Sequence, residues 1–129
     1  MNQGRSLFAQ VVELLPRRAF DNAVQRYQGD RRVRQLSCMD QLLCMLFAQF
    51  TGCSSLRETV LCLQALGPRR YHCGLRASPA RSTLADANES RDYRIFEDTA
   101  LAMIAAVQQQ LPVAVGLRRL RRRVYQPVV

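Results

Sequence analysis

The chain has 129 residues, of which 48% are hydrophobic, so it is long enough to bury the core of one domain. Nineteen arginines, with no lysine, stand against 10 acidic residues and give a net charge of +9. The apolar content excludes a disordered tail, and the excess of positive charge favours an anionic partner, nucleic acid before acidic lipid. A GC-rich coding bias is an alternative explanation for the exclusive use of arginine.

Membrane, secretory and metal-binding classes have little support in the sequence. No apolar run reaches about 18 residues, and the N-terminus lacks a small-residue cleavage site, which predicts a cytoplasmic protein without a membrane span. Five cysteines include no C-x-x-C pair. Although Cys62, His72 and Cys73 supply three potential ligands, a fourth is not evident, so reduced thiols are expected, with no metal and no cofactor.

The first half of the chain predicts three helices. One helix spans about 6 to 15, from Ser6 to Pro16, and a second spans about 17 to 28 and ends at Gly29. The sequence GDRRVRQ follows at residues 29 to 35; we call it the basic connector. It is interpreted as a solvated loop, with phosphate contact as the alternative. A third helix, capped by Ser37 and closed by Gly52, is the most apolar and is expected to be central.

The second half predicts two or three further helices. A capping box, Ser55 to Glu58, begins a fourth helix that ends at Gly67, and residues 69 to 79 are expected to form a loop or a short turn of helix. Helices near 81 to 89 and 92 to 111 follow, the latter ending at Pro112. Together these patterns predict an all-α fold, a compact bundle of five to six helices over residues 1 to 112.

The tail at residues 113 to 129 differs, because five arginines fall within residues 118 to 123 without acidic balance. It is interpreted as a solvated basic arm, a type of segment that also adds non-specific affinity for DNA.

Catalytic motifs are not found. The chain has no glycine-rich phosphate loop, no H-E-x-x-H and no G-x-S-x-G, and its one histidine, His72, adjoins Cys73 without facing it on a helix. No convergent set of carboxylates for two-metal chemistry can be assembled. The chain is therefore not expected to be an enzyme.

DNA binding is better supported by residues 81 to 94. A helix that enters the major groove brings short polar side chains and arginines at its N-terminal end, as Arg81, Ser82 and Thr83 do here. Asn88 follows two turns later, with Arg91 and Arg94 at the start of the next helix. The alternative is structural: Ser82 caps the helix and Asn88 ends it.

Two motifs carry a resemblance to a known family. The motifs SSLRE (residues 54 to 58) and RSTLADANESRD (residues 81 to 92), within a match from about Leu7 to about Leu111, closely resemble the helical N-terminal domain of bacterial insertion-sequence transposases of the DDE class. The resemblance implies recognition of the double-stranded DNA ends of the element. The matching positions are Arg57 in the first motif and Arg81, Ser82, Thr83, Asn88 and Arg91 in the second.

We expect the fourth helix and the helix at 81 to 89 to form a helix-turn-helix-like pair. The connection of about 67 to 79 is, however, longer than the usual three- to four-residue turn. In the family a strand carrying the first catalytic Asp follows the last helix, whereas here the chain reads RRRVYQPVV. A truncated remnant without the catalytic core is therefore expected, with an out-of-frame tail as one explanation. The alternative function is an interaction module that self-associates or binds full-length transposase.

Overall fold

A computed structural model of the protein describes residues 7–76 and 78–110. Over these residues the chain is all-helical, with six α-helices, one 3₁₀ helix and no strand. The elements are α1 (Leu7–Glu13), α2 (Arg17–Arg26), α3 (Cys38–Thr51), α4 (Leu56–Ala65), the 3₁₀ helix (Gly67–Cys73), α5 (Arg81–Ser90) and α6 (Arg94–Gln110).

The all-α class is confirmed, and the helix count is corrected. Seven helical elements replace the expected five to six within the described ranges, because the connection after α4 forms a 3₁₀ helix. Pro68 suits the start of such an element, since its fixed φ is helical and its missing N–H is not needed there. The predicted helix start at Ser6, the stop at Pro112 and the tail at 113 to 129 lie outside the described residues.

Local capping sets several helix boundaries. Ser37 Oγ accepts a hydrogen bond from the Asp40 amide at 3.1 Å, and Gly52 ends α3 at φ +73°. At α4, Ser55 Oγ accepts from the Glu58 amide at 3.1 Å, as predicted. The Glu58 carboxylate binds one residue earlier than expected, at the Ser54 amide (2.8 Å), and this bond lowers the pKa of Glu58.

The core consists of two clusters that share α3. The larger cluster joins α1, α3, α4, the 3₁₀ helix and α5, with Phe8 packed edge-on against Phe47 at a centroid distance of 5.5 Å. The smaller cluster joins α2 and α6, and Cys38 at the start of α3 belongs to it. Because α3 contributes buried side chains to both clusters, it is the central helix.

Helices α2 and α6 also contact each other through polar groups. Arg26 Nη1 and the Tyr27 hydroxyl both donate to Asp98 Oδ2 at 3.1 Å. Since α6 follows directly on α5, this packing positions the C-terminal end of α5 beside the segment that leaves α2.

Candidate nucleic-acid interface

The basic connector is fixed against the core rather than loosely tethered. The Gly29 amide donates to the Val24 carbonyl at 2.9 Å, and Asp30 Oδ1 accepts from the Cys38 amide at 2.8 Å, which holds the connector to the start of α3. Gly29 packs so closely that an added Cβ would lie 2.6 Å from both Cys38 Sγ and Ile95 Cδ1. The connector is therefore held in a defined position.

Three exposed arginines project from this fixed connector: Arg31, Arg32 and Arg34. Arg31 Nη1 donates to Gln28 Oε1 at 2.9 Å, a neutral partner. None of the three forms a salt bridge with a carboxylate among the described residues. The positive charges of the three arginines are therefore available to an external anion. Arg32 also adopts φ +61°, an uncommon conformation for a residue with a Cβ.

The connector and α5 together line a groove of about 580 Å³. We call it the basic groove. The connector arginines form one wall, and Thr83, Asp86 and Ser90 of α5 contribute to the other. Four arginines line it (Arg31, Arg32, Arg34, Arg91) against two aspartates (Asp86, Asp92). A positive wall facing hydroxyl groups suits a phosphate backbone.

The first turn of α5 is open to solvent. Its N-cap is Ala80, which makes no side-chain capping bond, and Ser82 is an exposed second residue of the helix. Ser82 therefore does not cap α5, contrary to the structural alternative, and Asn88 does not end it. Further along, Asp86 and Glu89 are exposed and would repel phosphate. Along α5, the charges therefore favour the approach of a nucleic acid at the first turn only.

Asn88 and Arg91 have partners inside the fold. Buried Gln41, 2% exposed, donates through Nε2 to Asn88 Oδ1 at 2.8 Å and accepts from Arg91 Nη1 at 2.8 Å. Arg91 Nη2 also donates to the Leu36 carbonyl. We call Gln41, Asn88 and Arg91 the Gln41 network. It joins α5 to α3 and to the chain just after the connector.

Arg94 and Arg57 lie in different settings. The Arg94 guanidinium binds Asp92 at 2.6 Å and lies 4.5 Å from the centre of the Tyr27 ring. Hydrogen bonds from Arg94 lower the pKa of Asp92. Arg57 is exposed in the first turn of α4 and is not among the residues that line the basic groove.

Of the seven residues predicted from the sequence, Thr83 and Arg91 line the basic groove, and the other five do not. Thr83 Oγ1 also donates to Gln35 Oε1 at 3.4 Å, a long bond between α5 and the connector. Sequence reasoning missed Gln41 and gave phosphate contact by the connector only as an alternative. The signal for Gln41 was an amide side chain among apolar residues in the most apolar helix, which also carries the exposed Gln49.

The described residues contain no group of three or more His, Cys, Asp or Glu side chains placed to hold a metal ion. None of the helices in residues 7–76 and 78–110 combines the length and apolar character that a bilayer crossing needs.

The fold and the groove define an all-helical domain that presents unpaired arginines beside a helix. The chain belongs to the family described as Domain of unknown function (DUF4372), whose model matches residues 3–76. This is a domain found at the N-terminus of transposases, so the resemblance noted in the sequence is confirmed at that level. The matched residues include the basic connector and Arg57, whereas α5 lies after the end of the match. No curated protein and no solved structure matches the chain.

Proposed function

We propose that the chain binds double-stranded DNA as the N-terminal domain of a transposase of the DDE class, with the ends of an insertion sequence as its target. The observation that carries the proposal is the fixed connector, whose three arginines have no carboxylate partner among the described residues. The family membership supports the setting of DNA transposition. The proposed role is binding in the cytoplasm, without cutting or joining of DNA by this chain.

Binding would divide between two kinds of contact. Arg31, Arg32 and Arg34 would contact phosphates, because a guanidinium fork matches two phosphate oxygens. The open first turn of α5 would bring Arg81 and Ser82 to the same strand, with Thr83 at the edge of the basic groove. Arg57 on α4 would add a further contact from outside the groove.

The Gln41 network would then hold α5 and the connector in a fixed relation. Arg91 contributes one positive charge to the groove, but its guanidinium already donates to Gln41 and to the Leu36 carbonyl. The proposal therefore assigns Asn88 and Arg91 to positioning of the interface, and the exposed arginines to contact with DNA.

Binding of the full chain to a fluorescent duplex, measured over a series of salt concentrations, tests the proposal. One duplex carries an end of the parent element, and a second has the same length and composition in scrambled order. Because each neutralised phosphate contributes a slope of about 0.9 in log affinity against log salt, a total slope of about 3 or more is expected. A chain that binds neither duplex in a salt-dependent manner contradicts the proposal.

A second function, as an interaction module, is favoured by a second, apolar groove, which shares Arg91 with the basic groove. This groove, of about 300 Å³, lies between α3 and the start of α6 and is lined by Leu42, Met45, Leu46, Tyr93 and Phe96, among others. Tyr93 is 72% exposed. Sedimentation with and without duplex separates the two functions, because a dimer that is indifferent to DNA favours the interaction module.

A further inference from the structure

The turn between α3 and α4 brings two cysteines together. Cys53 follows Gly52, and its amide donates to the Ala48 carbonyl at 2.9 Å, which fixes the reversal of the chain. Glu58 of α4 reaches back to Ser54, so the turn runs along the Glu58 face of the helix. Cys62 lies on that same face, four residues beyond Glu58. Its thiol is hydrogen-bonded to Cys53.

The other three cysteines lie in the core. Cys38 and Cys44 are fully buried, and burial raises the pKa of each thiol to about 12, so both stay protonated at neutral pH. Cys73 is also buried, at 5% exposure. By contrast, Cys53 and Cys62 are half-buried. Thiol chemistry with a soluble reagent is therefore confined to the pair at the turn, because reaction needs both access and a thiolate.

We propose that Cys53 and Cys62 are a site of reversible oxidation, at which a peroxide converts the two thiols into an intramolecular disulfide. This inference does not depend on the proposed function, since it rests on the α3–α4 turn and not on the basic groove.

The reaction balances in two steps. The Cys53 thiolate attacks one oxygen of hydrogen peroxide, the O–O bond breaks, and the products are a Cys53 sulfenic acid and, after protonation of the leaving hydroxide, one water. Cys62 then attacks the sulfenic sulfur, the S–S bond forms, and the hydroxyl leaves with the Cys62 proton as a second water. Two thiols lose two electrons, and one peroxide is reduced to two waters. A thiol reductant reverses the reaction.

The order of attack follows from the hydrogen bond within the pair. The bond to Cys53 favours the protonated form of Cys62 and raises its pKa, and the nearby Glu58 carboxylate acts in the same direction. We assign the first attack to Cys53 because the thiolate of Cys62 is disfavoured, with Cys62 resolving the sulfenic acid, and the serine variants below test this order.

Peptide mapping of the full chain tests the proposal. The chain is reduced, freed of reductant, treated with hydrogen peroxide, alkylated and digested with trypsin. Arg57 separates the two cysteines, so cleavage after it yields peptides 35–57 and 58–69, and the disulfide would join them. Because peptide 35–57 also contains Cys38 and Cys44, fragmentation of the linked pair identifies which of its cysteines is joined to Cys62. The expected result is loss of two of the five free thiols, with a linked peptide pair that separates on treatment with dithiothreitol.

Two serine variants assign the roles and keep the test independent of any change in folding. Cys53→Ser is expected to give neither a linked pair nor a sulfenic acid at residue 62. Cys62→Ser is expected to stop at a sulfenic acid on Cys53, which dimedone traps. The proposal is overturned if all five thiols of the native chain survive peroxide, if the link includes Cys38, Cys44 or Cys73, or if it joins two chains.

Discussion

Two sets of arginines line the basic groove, and the fold treats them differently. Arg91, which directly follows α5, donates to Gln41 and to the Leu36 carbonyl, so its guanidinium holds two elements together. The connector arginines, Arg31, Arg32 and Arg34, are exposed and form no ion pair with the described residues. Arginine thus serves structure on one wall of the groove, whereas on the other wall it has no ion-pair partner among the described residues.

The difference teaches that charge alone does not identify a binding residue. A guanidinium that satisfies a buried amide is costly to withdraw, because the amide is left without a partner. An exposed guanidinium contributes little to stability and keeps its hydrogen-bonding capacity for a ligand. Substitution of Arg91 should therefore lower the stability more than substitution of a connector arginine does. Substitution of the connector arginines, in turn, should lower the affinity for DNA more than substitution of Arg91 does.

The largest loss of stability is expected for Arg91→Ala. The variant removes two charge-assisted hydrogen bonds and leaves the Gln41 carbonyl oxygen unsatisfied, so the free energy of unfolding should fall by about 3 kcal/mol. Urea denaturation measures the change. Arg81→Ala, at the exposed opposite end of α5, is the matched control and should change stability by less than about 0.5 kcal/mol. Equal losses of unfolding free energy in Arg91→Ala and Arg81→Ala would contradict the distinction between structural and exposed arginines.

A smaller loss is expected where the connector packs on the core. In Gly29→Ala the new Cβ would lie 2.6 Å from Cys38 Sγ and Ile95 Cδ1, two atoms of the smaller core cluster. Such overpacking should lower the free energy of unfolding by about 2 kcal/mol. Gln25→Ala, at an exposed site on α2, serves as the control in the same denaturation experiment. If Gly29→Ala leaves the free energy of unfolding unchanged, the connector is not fixed as described.

A still smaller loss of stability is expected for Arg94→Ala. Its side chain is 52% exposed, so loss of the Asp92 pair and of the Tyr27 contact should cost less than either change above. The lowered pKa of Asp92 means that the contribution of the Asp92 pair is present at neutral pH and disappears as the pH falls through that lowered pKa. The difference in stability between Arg94→Ala and wild type should therefore shrink in acid to what the Tyr27 contact contributes. A difference that grows in acid would refute this assignment.

Helix boundaries were predictable because their causes are local. Ser37, Gly52 and Ser55 each act within about four residues of chain, and their roles in the structure follow from sequence alone. The Gln41 network was not predictable, because Asn88 and Arg91 lie 47 and 50 residues from Gln41 in the chain. For the same reason, the side-chain pattern of α5 suggested that Asn88 and Arg91 face DNA, whereas the tertiary packing gives them partners on α3.

The candidate site, too, was predictable from the sequence only in part. The charge of the basic connector was visible in the sequence, but its attachment through Gly29 and Asp30, and its position beside α5, depend on contacts with α3 and α6. A loop and a fixed connector have the same composition. Only the packing distinguishes them.

The most direct measurement is the salt dependence of duplex binding by the triple variant Arg31→Ala, Arg32→Ala, Arg34→Ala. A control triple variant, Arg17→Ala, Arg18→Ala, Arg69→Ala, removes the same charge from exposed sites that do not line the basic groove. The slope of log affinity against log salt should become shallower by about 3 in the connector variant and should stay near wild type in the control. Equal weakening in the two triple variants, or wild-type binding by the connector variant, would contradict the assignment of the connector arginines to DNA.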